Sequence, residues 1–261
     1  MSKYPKYLMI LLPVLFSSSC AGTIDKNLSP PSDTQWVNIE IKNPSQYTKP
    51  FPLEVVYISH KCLKSSINGI DGSREEKQSY NGVKIPLQQQ GNSDLWHAKV
   101  AMNGGGSCDW TLSEFNLGIE YIDATHLGKD LVPGTAVGAT IALDDIAASN
   151  GTFKETSGDL TLKTKYYPYI KRYSKIKNSK DLDALSLFGR DNSFSNYRVN
   201  SEAGENFSVI YHPVIDESKI AQIIFPYQKG KGVHTKVVYP DKTEFENGSN
   251  YPDFNKMESI K

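Results

Sequence analysis

The chain has 261 residues, and its 29 lysines and arginines balance 29 aspartates and glutamates. A formal charge of zero provides no global field to steer it toward DNA, RNA or an anionic membrane, so a nucleic-acid partner is not expected. Once an N-terminal leader is set aside about 240 residues remain, enough to bury the core of one large or two modest domains.

Lys3 and Lys6 precede an apolar run over residues 8–16, and Ser17, Ser18 and Ser19 lead directly into Cys20. Charge, apolar core and small residues in that order form an export signal, and the run falls short of the ~20 residues that cross a bilayer. Because the first cysteine follows the small residues, residues 1–19 resemble a bacterial lipoprotein signal. The resemblance implies that Cys20 is lipidated and becomes the mature N-terminus, and Ala21 in place of an aspartate points to the outer membrane. Residues 20–33 are rich in Gly, Ser, Pro, Asp and Asn, a composition that buries too little surface to order itself, so they read as a flexible tether.

Beyond the tether the apolar residues alternate. Val37, Ile39 and Ile41, then Val83, Ile85 and Leu87, then Leu117, Ile119 and Tyr121, then Leu160 and Leu162 repeat with the period of half-buried strands. Denser runs over residues 53–58, 207–211, 220–225 and 233–239 suit strands nearer a sheet centre. Asn-Gly at Asn68, Asn81, Asn103, Asn150 and Asn247, and Asp-Gly at Asp71, predict tight hairpin turns. Helical signals are few: Ser179 can cap a short helix through Leu182, Leu185 and Phe188, stopped by Gly189, and residues 144–149 can make one turn. The fold class expected is mainly β. Residues 34–150 read as an antiparallel β-sandwich with one disulfide, and residues 151–261 as a second β-rich unit.

With Cys20 committed to lipid, Cys62 and Cys108 remain, and in an oxidising periplasm they are expected to pair. Neither has the Cys-x-x-Cys neighbour of a redox-active thiol, so the bond reads as structural. Gly104, Gly105 and Gly106 lack the following Lys-Ser or Lys-Thr of a phosphate loop; they read as a sharp turn delivering Cys108 to Cys62. Gly230 and Gly232 suit a further hairpin. No Gly-x-Ser-x-Gly elbow is present, the five histidines (His60, His97, His126, His212, His234) stand singly, and no carboxylate cluster has calcium spacing. No metal or cofactor is expected, and the chain reads as non-enzymatic. The enzyme alternative is an envelope hydrolase whose site assembles in space; a structural or ligand-carrying envelope lipoprotein is the other.

Two segments stand out by charge. Lys163, Lys165, Lys171, Arg172, Lys175, Lys177 and Lys180 run without an acid and interleave with Tyr166, Tyr167, Tyr169 and Tyr173. Such a run can grip an acidic protein surface, sit as a solvated strand edge, or meet anionic headgroups. Tyr166, Tyr167, Tyr169, Lys171 and Arg172 are the candidate partner contacts. The stretch over residues 109–145 is its acidic counterpart, and if the two face one another they lock the halves together.

Tyr57, Ile58 and Ser59 shortly before Cys62, with the run from Asn103 through Gly104, Gly105, Gly106, Ser107, Cys108, Asp109, Trp110, Thr111 and Leu112 to Ser113, resemble small Gram-negative lipoproteins encoded beside type VI secretion effectors, phospholipase-type toxins among them. Members of that group are periplasmic immunity proteins that bind and block the incoming toxin. The resemblance spans mainly residues 50–125. It implies the Cys62–Cys108 bond, a core position for Trp110 and a secreted effector as partner, and it names no inhibitory residue. Replacing Cys20 with Ser and fractionating cells is expected to move the protein from the membrane to the soluble fraction; unchanged membrane association contradicts the anchor.

Overall fold

The computed structural model describes residues 23–149, 151–173, 183–200, 205–226, 234–246 and 248–261. The leader, Cys20, the start of the helix expected at Ser179, the turns at Asn150 and Asn247, and Gly230 with Gly232 lie outside the described residues. The chain is mainly β, and among the described residues its strands form three sheets. The first runs β12 (Leu160–Leu162), β16 (Phe207–Tyr211), β1 (Trp36–Lys42), β6 (Leu95–Ala101), β5 (Gln88–Gln89). The second runs β11 (Lys154–Ser157), β15 (Phe194–Asn200), β10 (Val137–Ala142), β8 (Trp110–Tyr121), β3 (Leu53–Ile67), β4 (Arg74–Ile85), with β2 (Thr48–Pro50) and β7 (Asn103–Gly105) also on β8. The third runs β20 (Glu244–Glu246), β19 (Lys236–Val238), β18 (Ala221–Phe225), β13 (Lys165–Tyr173), β14 (Ala184–Phe188), β9 (Val132–Pro133), with β17 (Val214–Ile215) on β13.

The two-residue period sets which side chains are buried. Val37, Ile39 and Ile41 of β1, Leu117, Ile119 and Tyr121 of β8, and Leu160 and Leu162 of β12 all enter one apolar cluster. The expected division near residue 150 does not fall between sheets, because each sheet contains strands from both sides of it. β1 pairs with β16, β10 with β15, and β9 with β14, all parallel. Purely antiparallel pairing is therefore corrected to a mixed arrangement. Parallel neighbours need long connections, so hairpin signals in the sequence cannot reveal them.

The helix expected toward Phe188 is corrected as well. Ala184–Phe188 is strand β14, antiparallel to β13. Leu185 and Leu187 join the first apolar cluster, whereas Phe188 joins a second with Tyr167, Tyr169, Ala221, Ile223, Val237, Tyr239 and Met257. A strand buried on both faces is a continuous apolar run, which periodicity cannot separate from a helix segment. Residues 81–82 also differ from the expected turn: Asn81 is buried inside β4. The single turn expected at residues 144–149 is α1 (Asp145–Ala148), whose Asp144 carboxylate accepts from the Ala147 amide at 2.8 Å. A second helix, α2 (Phe254–Ser259), is capped by Asp253 and buries Met257. Among the described residues no helix is long and apolar enough to cross a membrane.

Residues 23–33 are not a free tether. The Trp110 indole N–H donates to the Asp25 carbonyl at 3.1 Å, Ser107 Oγ donates to the Asp25 carboxylate at 2.7 Å, and Asn81 Nδ2 donates to the Lys26 carbonyl at 2.8 Å. The Ser29 amide donates to the Gly104 carbonyl at 2.8 Å, and Ile24 and Leu28 pack on the core. The composition argument failed because this strap borrows its partners from the body instead of making its own core. The glycines provide the room: a Cβ on Gly105 would lie 2.2 Å from the Ser29 carbonyl oxygen, and one on Gly106 would lie 2.4 Å from that of Asn27. Both glycines also have positive φ, +57° and +74°. The disulfide closes beside them, Cys62 to Cys108, with Cα atoms 5.2 Å apart.

Gly105→Ala is expected to lower stability by about 1–3 kcal/mol, the cost of a strained backbone position, and to raise hydrogen exchange across residues 25–31. Gly82→Ala, with nothing within 4 Å of its added Cβ, is expected to leave both unchanged in the same thermal melts and exchange runs.

Candidate binding cleft

The tyrosines of the basic run are core residues. Tyr166, Tyr167 and Tyr169 are 2%, 0% and 0% exposed, so they are corrected from candidate partner contacts to packing positions. The physical reason is the placement of β13 between two cores. Tyr166 and Ile170 face the first, and Tyr167 and Tyr169 face the second. Tyr211 donates its hydroxyl to the Tyr166 hydroxyl at 2.8 Å, and burial pushes the Tyr166 phenol up to about 12. Tyr169 meets Phe188 edge-on with centroids 5.5 Å apart. Lys171 and Arg172 also turn to internal partners. Lys171 Nζ donates to Thr135 Oγ1 at 2.6 Å and is held below its ordinary pKa by burial, while Arg172 lies 3.6 Å from the Asp183 carboxylate. Among the described residues no ion pair joins this run to the acidic stretch over residues 109–145, whose Asp109 and Asp145 pair with Lys61 and Arg198.

The beginning of the run lines a cleft, while Lys175, Lys177 and Lys180 lie outside the described residues. Lys163 and Lys165 line a cleft of about 350 Å³ together with Lys154, Arg190, Asp191, Ser195, Tyr197, Phe254 and Glu258. Strands place these groups. β11 and β15 lie side by side in parallel and bring Lys154 opposite Tyr197; the chain leaving β14 supplies Arg190 and Asp191; α2 supplies Phe254 and Glu258. Lys163 also lines an adjoining cleft of about 410 Å³ with Lys42, Asp94 and His212. Five lysine and arginine side chains line the two clefts with three carboxylates, and two further acids, Asp216 and Glu40, pair with the lining residues Lys165 and His212.

The cleft charges are fixed by their neighbours. Lys154 and Ser195 both donate to Asp191 Oδ2, the serine at 2.8 Å. Burial alone would raise the Asp191 carboxyl, but these hydrogen bonds hold it below the ordinary carboxylate range. The Tyr167 hydroxyl and then Lys165 lower the Glu258 carboxyl, and contacts with Tyr167 and Glu258 raise the Lys165 ammonium. Lys165 Nζ lies 3.0 Å from Glu258 and 3.5 Å from Asp216. Arg190 donates to Asn255 Oδ1 at 3.2 Å and lies over the Phe254 ring at 4.8 Å. Lys163, at the lip shared by both clefts, has no ion pair among the described residues.

Every resolved shift at Lys154, Lys165, Asp191 and Glu258 favours the charged form. None of these four is tuned toward neutrality, where proton transfer is efficient, and the arrangement suits recognition of charge. A further cleft of about 500 Å³, lined by Asn38, Ile39, Ile85, Gln88, His97 and Lys99 among others, carries fewer charges. Among the described residues no group of three or more His, Cys, Asp or Glu side chains is placed to hold a metal ion. The sequence offered Lys163 and Lys165 as a signal. Lys154, Arg190 and Glu258 gave none, because long-range pairing brings them in. In the comparisons with known proteins, no family model, no curated protein and no solved structure matches this chain.

A depressed carboxylate contributes stability above its unfolded pKa and loses it as pH falls through the folded one. Asp191 and Glu258 are therefore expected to leave stability flat between pH 5 and 8, with their contribution lost below about pH 4. In thermal melts across pH 3–8, Asp191→Asn is expected to be about 0.5–1 kcal/mol less stable than the parent above pH 5, a size set by partial solvent screening. The two curves are expected to converge near pH 3.

Proposed function

We propose that this chain is an outer-membrane-anchored periplasmic lipoprotein that binds and neutralises a secreted toxin, an immunity protein to a phospholipase-type type VI effector, and catalyses no reaction itself. Anchoring is through an acylated Cys20. The leader and the Cys62–Cys108 bond support export to an oxidising compartment. The single observation that carries the binding reading is the lysine-lined double cleft around Lys163, which has no ion pair among the described residues, bordered by strands from the first, second and third sheets. Rigid elements hold its charges in place before a partner arrives, which limits the ordering cost of association.

In this reading the effector presents an acidic surface to Lys42, Lys163 and Arg190, and the body of the inhibitor blocks access to the toxin's own site. Opposed charge speeds encounter and fixes orientation. The anchor confines the inhibitor to the layer that a membrane-attacking enzyme must reach, raising its effective concentration there. The first and second sheets, which share one apolar cluster, are read as the two leaves of a β-sandwich that supports the cleft.

Co-expression with its cognate phospholipase-type effector is expected to rescue growth. Lys163→Glu combined with Lys42→Glu is expected to raise the dissociation constant at least tenfold and slow association, with an unchanged melting temperature. Cells killed equally with and without the protein overturn the proposal.

A further inference from the structure

The hairpin of β3 and β4 leaves the second sheet. β3 pairs with β8 from Glu54 to Ile58, but residues 63–67 pair, among the described residues, only with residues 74–78 of β4. Five residue pairs therefore form a two-stranded arm about 17 Å long. At its turn the Asn68 amide donates to the Ser73 carbonyl at 2.8 Å and the Gly72 amide to the Asn68 carbonyl at 2.9 Å, with Gly72 at φ +72°. Ile67 and Ile70 at this end are 70% and 97% exposed, and Leu63 follows on the arm at 40%. Isoleucines left bare at the end of a projecting ribbon add nothing to the core, and exposed apolar groups of this kind mark an interaction site.

We propose that the tip of this arm is a lipid-contacting element that inserts Ile67 and Ile70 shallowly into a phospholipid leaflet. Three observations favour lipid over a protein partner. The bare apolar side chains of the tip are aliphatic, and residues 63–78 hold none of the Trp or Tyr anchors that dominate protein interfaces. Arg74, opposite Ile67, has no ion pair among the described residues, and Lys64 rests over the Tyr80 ring at 5.6 Å; both are placed to meet headgroup phosphates. The strap, finally, reaches the arm at its foot, where Asn81 of β4 holds the Lys26 carbonyl and Ser107, beside Cys108, holds Asp25.

Cys20 precedes Thr23 by three residues, at most about 11 Å of extended chain, so an acyl anchor there keeps the body, and the arm rooted beside the strap, close to a leaflet. That geometric part rests on the lipoprotein reading; the chemistry of the tip does not. Asp71 limits the depth. Its carboxylate accepts from the Ser73 amide at 2.9 Å and the Ser73 hydroxyl at 2.7 Å, which keeps it ionised at headgroup level. Glu75 is neutralised by Lys77, and Glu76 on the flank opposes a strongly anionic surface. Insertion of the isoleucines, more than charge, is what holds the tip in place.

The test uses full-length protein and vesicles of phosphatidylethanolamine and phosphatidylglycerol at 3:1. In protein extracted from membranes and reconstituted, Ile70→Trp is expected to show at least twofold more quenching by brominated lipid than the parent. In a Cys20→Ser background, Ile67→Ser with Ile70→Ser is expected to reduce vesicle sedimentation at least threefold while the melting temperature is unchanged. Equal quenching together with equal sedimentation overturns the proposal, as does binding of the tip to the toxin with no lipid dependence. Because the sedimentation arm lacks the acylated cysteine, loss of the anchor reading by mass spectrometry leaves this result independent.

Discussion

One covalent bond fixes the point where the strap, the arm and the head of β8 meet. Cys62 lies at the root of the arm and Cys108 in the loop between β7 and β8, and closing the 46-residue separation removes about 4 kcal/mol of unfolded-chain entropy. Ser59, fully buried next to it, donates its hydroxyl to the Cys108 carbonyl at 2.6 Å and accepts from the Cys62 amide at 2.9 Å. Trp110, buried two residues later, sends its indole N–H to the strap. A two-stranded ribbon in water is marginal by itself, so the clamp at the root is what gives the arm a fixed direction. The glycines at residues 104–106 complete the junction, since any larger residue at 105 or 106 collides with the strap backbone.

A second constraint acts at β13. β13 lies between two apolar clusters, and its tyrosines are divided by the strand period, Tyr166 to one and Tyr167 and Tyr169 to the other. The Tyr166 and Tyr167 hydroxyls meet Tyr211 and Glu258, satisfying polar tips that burial would otherwise penalise. Lys165, at the start of the same strand, reaches into the cleft, so the strand that ties the cores together also sets the position of the cleft charge. Fold and recognition surface are linked through that strand.

Local patterns were legible in the sequence, and long-range ones were not. Alternation at Val37, Ile39 and Ile41 identified β1, and the turn residues at Asn68 and Asp71 identified the arm's end. The pairing of Cys62 with Cys108 followed from the cysteine count and an expected oxidising compartment. The parallel partnership of β1 with β16 left no local mark, because its connection spans much of the chain. Leu185, Leu187 and Phe188 misled because a doubly buried strand has lost its polar face. The tyrosine-lysine run misled for the same reason: its polar tips suggested a surface, yet their partners were core hydroxyls and an acid from α2. The strap misled in the opposite sense, since its polar composition hid backbone groups that find partners on the glycine loop. Of the cleft, only Lys163 and Lys165 could be read in advance.

Hydrogen exchange on the Cys62→Ala/Cys108→Ala protein tests the central claim most directly, that the disulfide junction holds arm and strap onto an otherwise self-sufficient set of sheets. The account expects protection to fall at least tenfold at residues 63–67, 74–78 and 25–29 while the amides of β1 and central β8 stay protected. Unchanged protection in the arm and strap, or an equal loss across all three sheets, would contradict it.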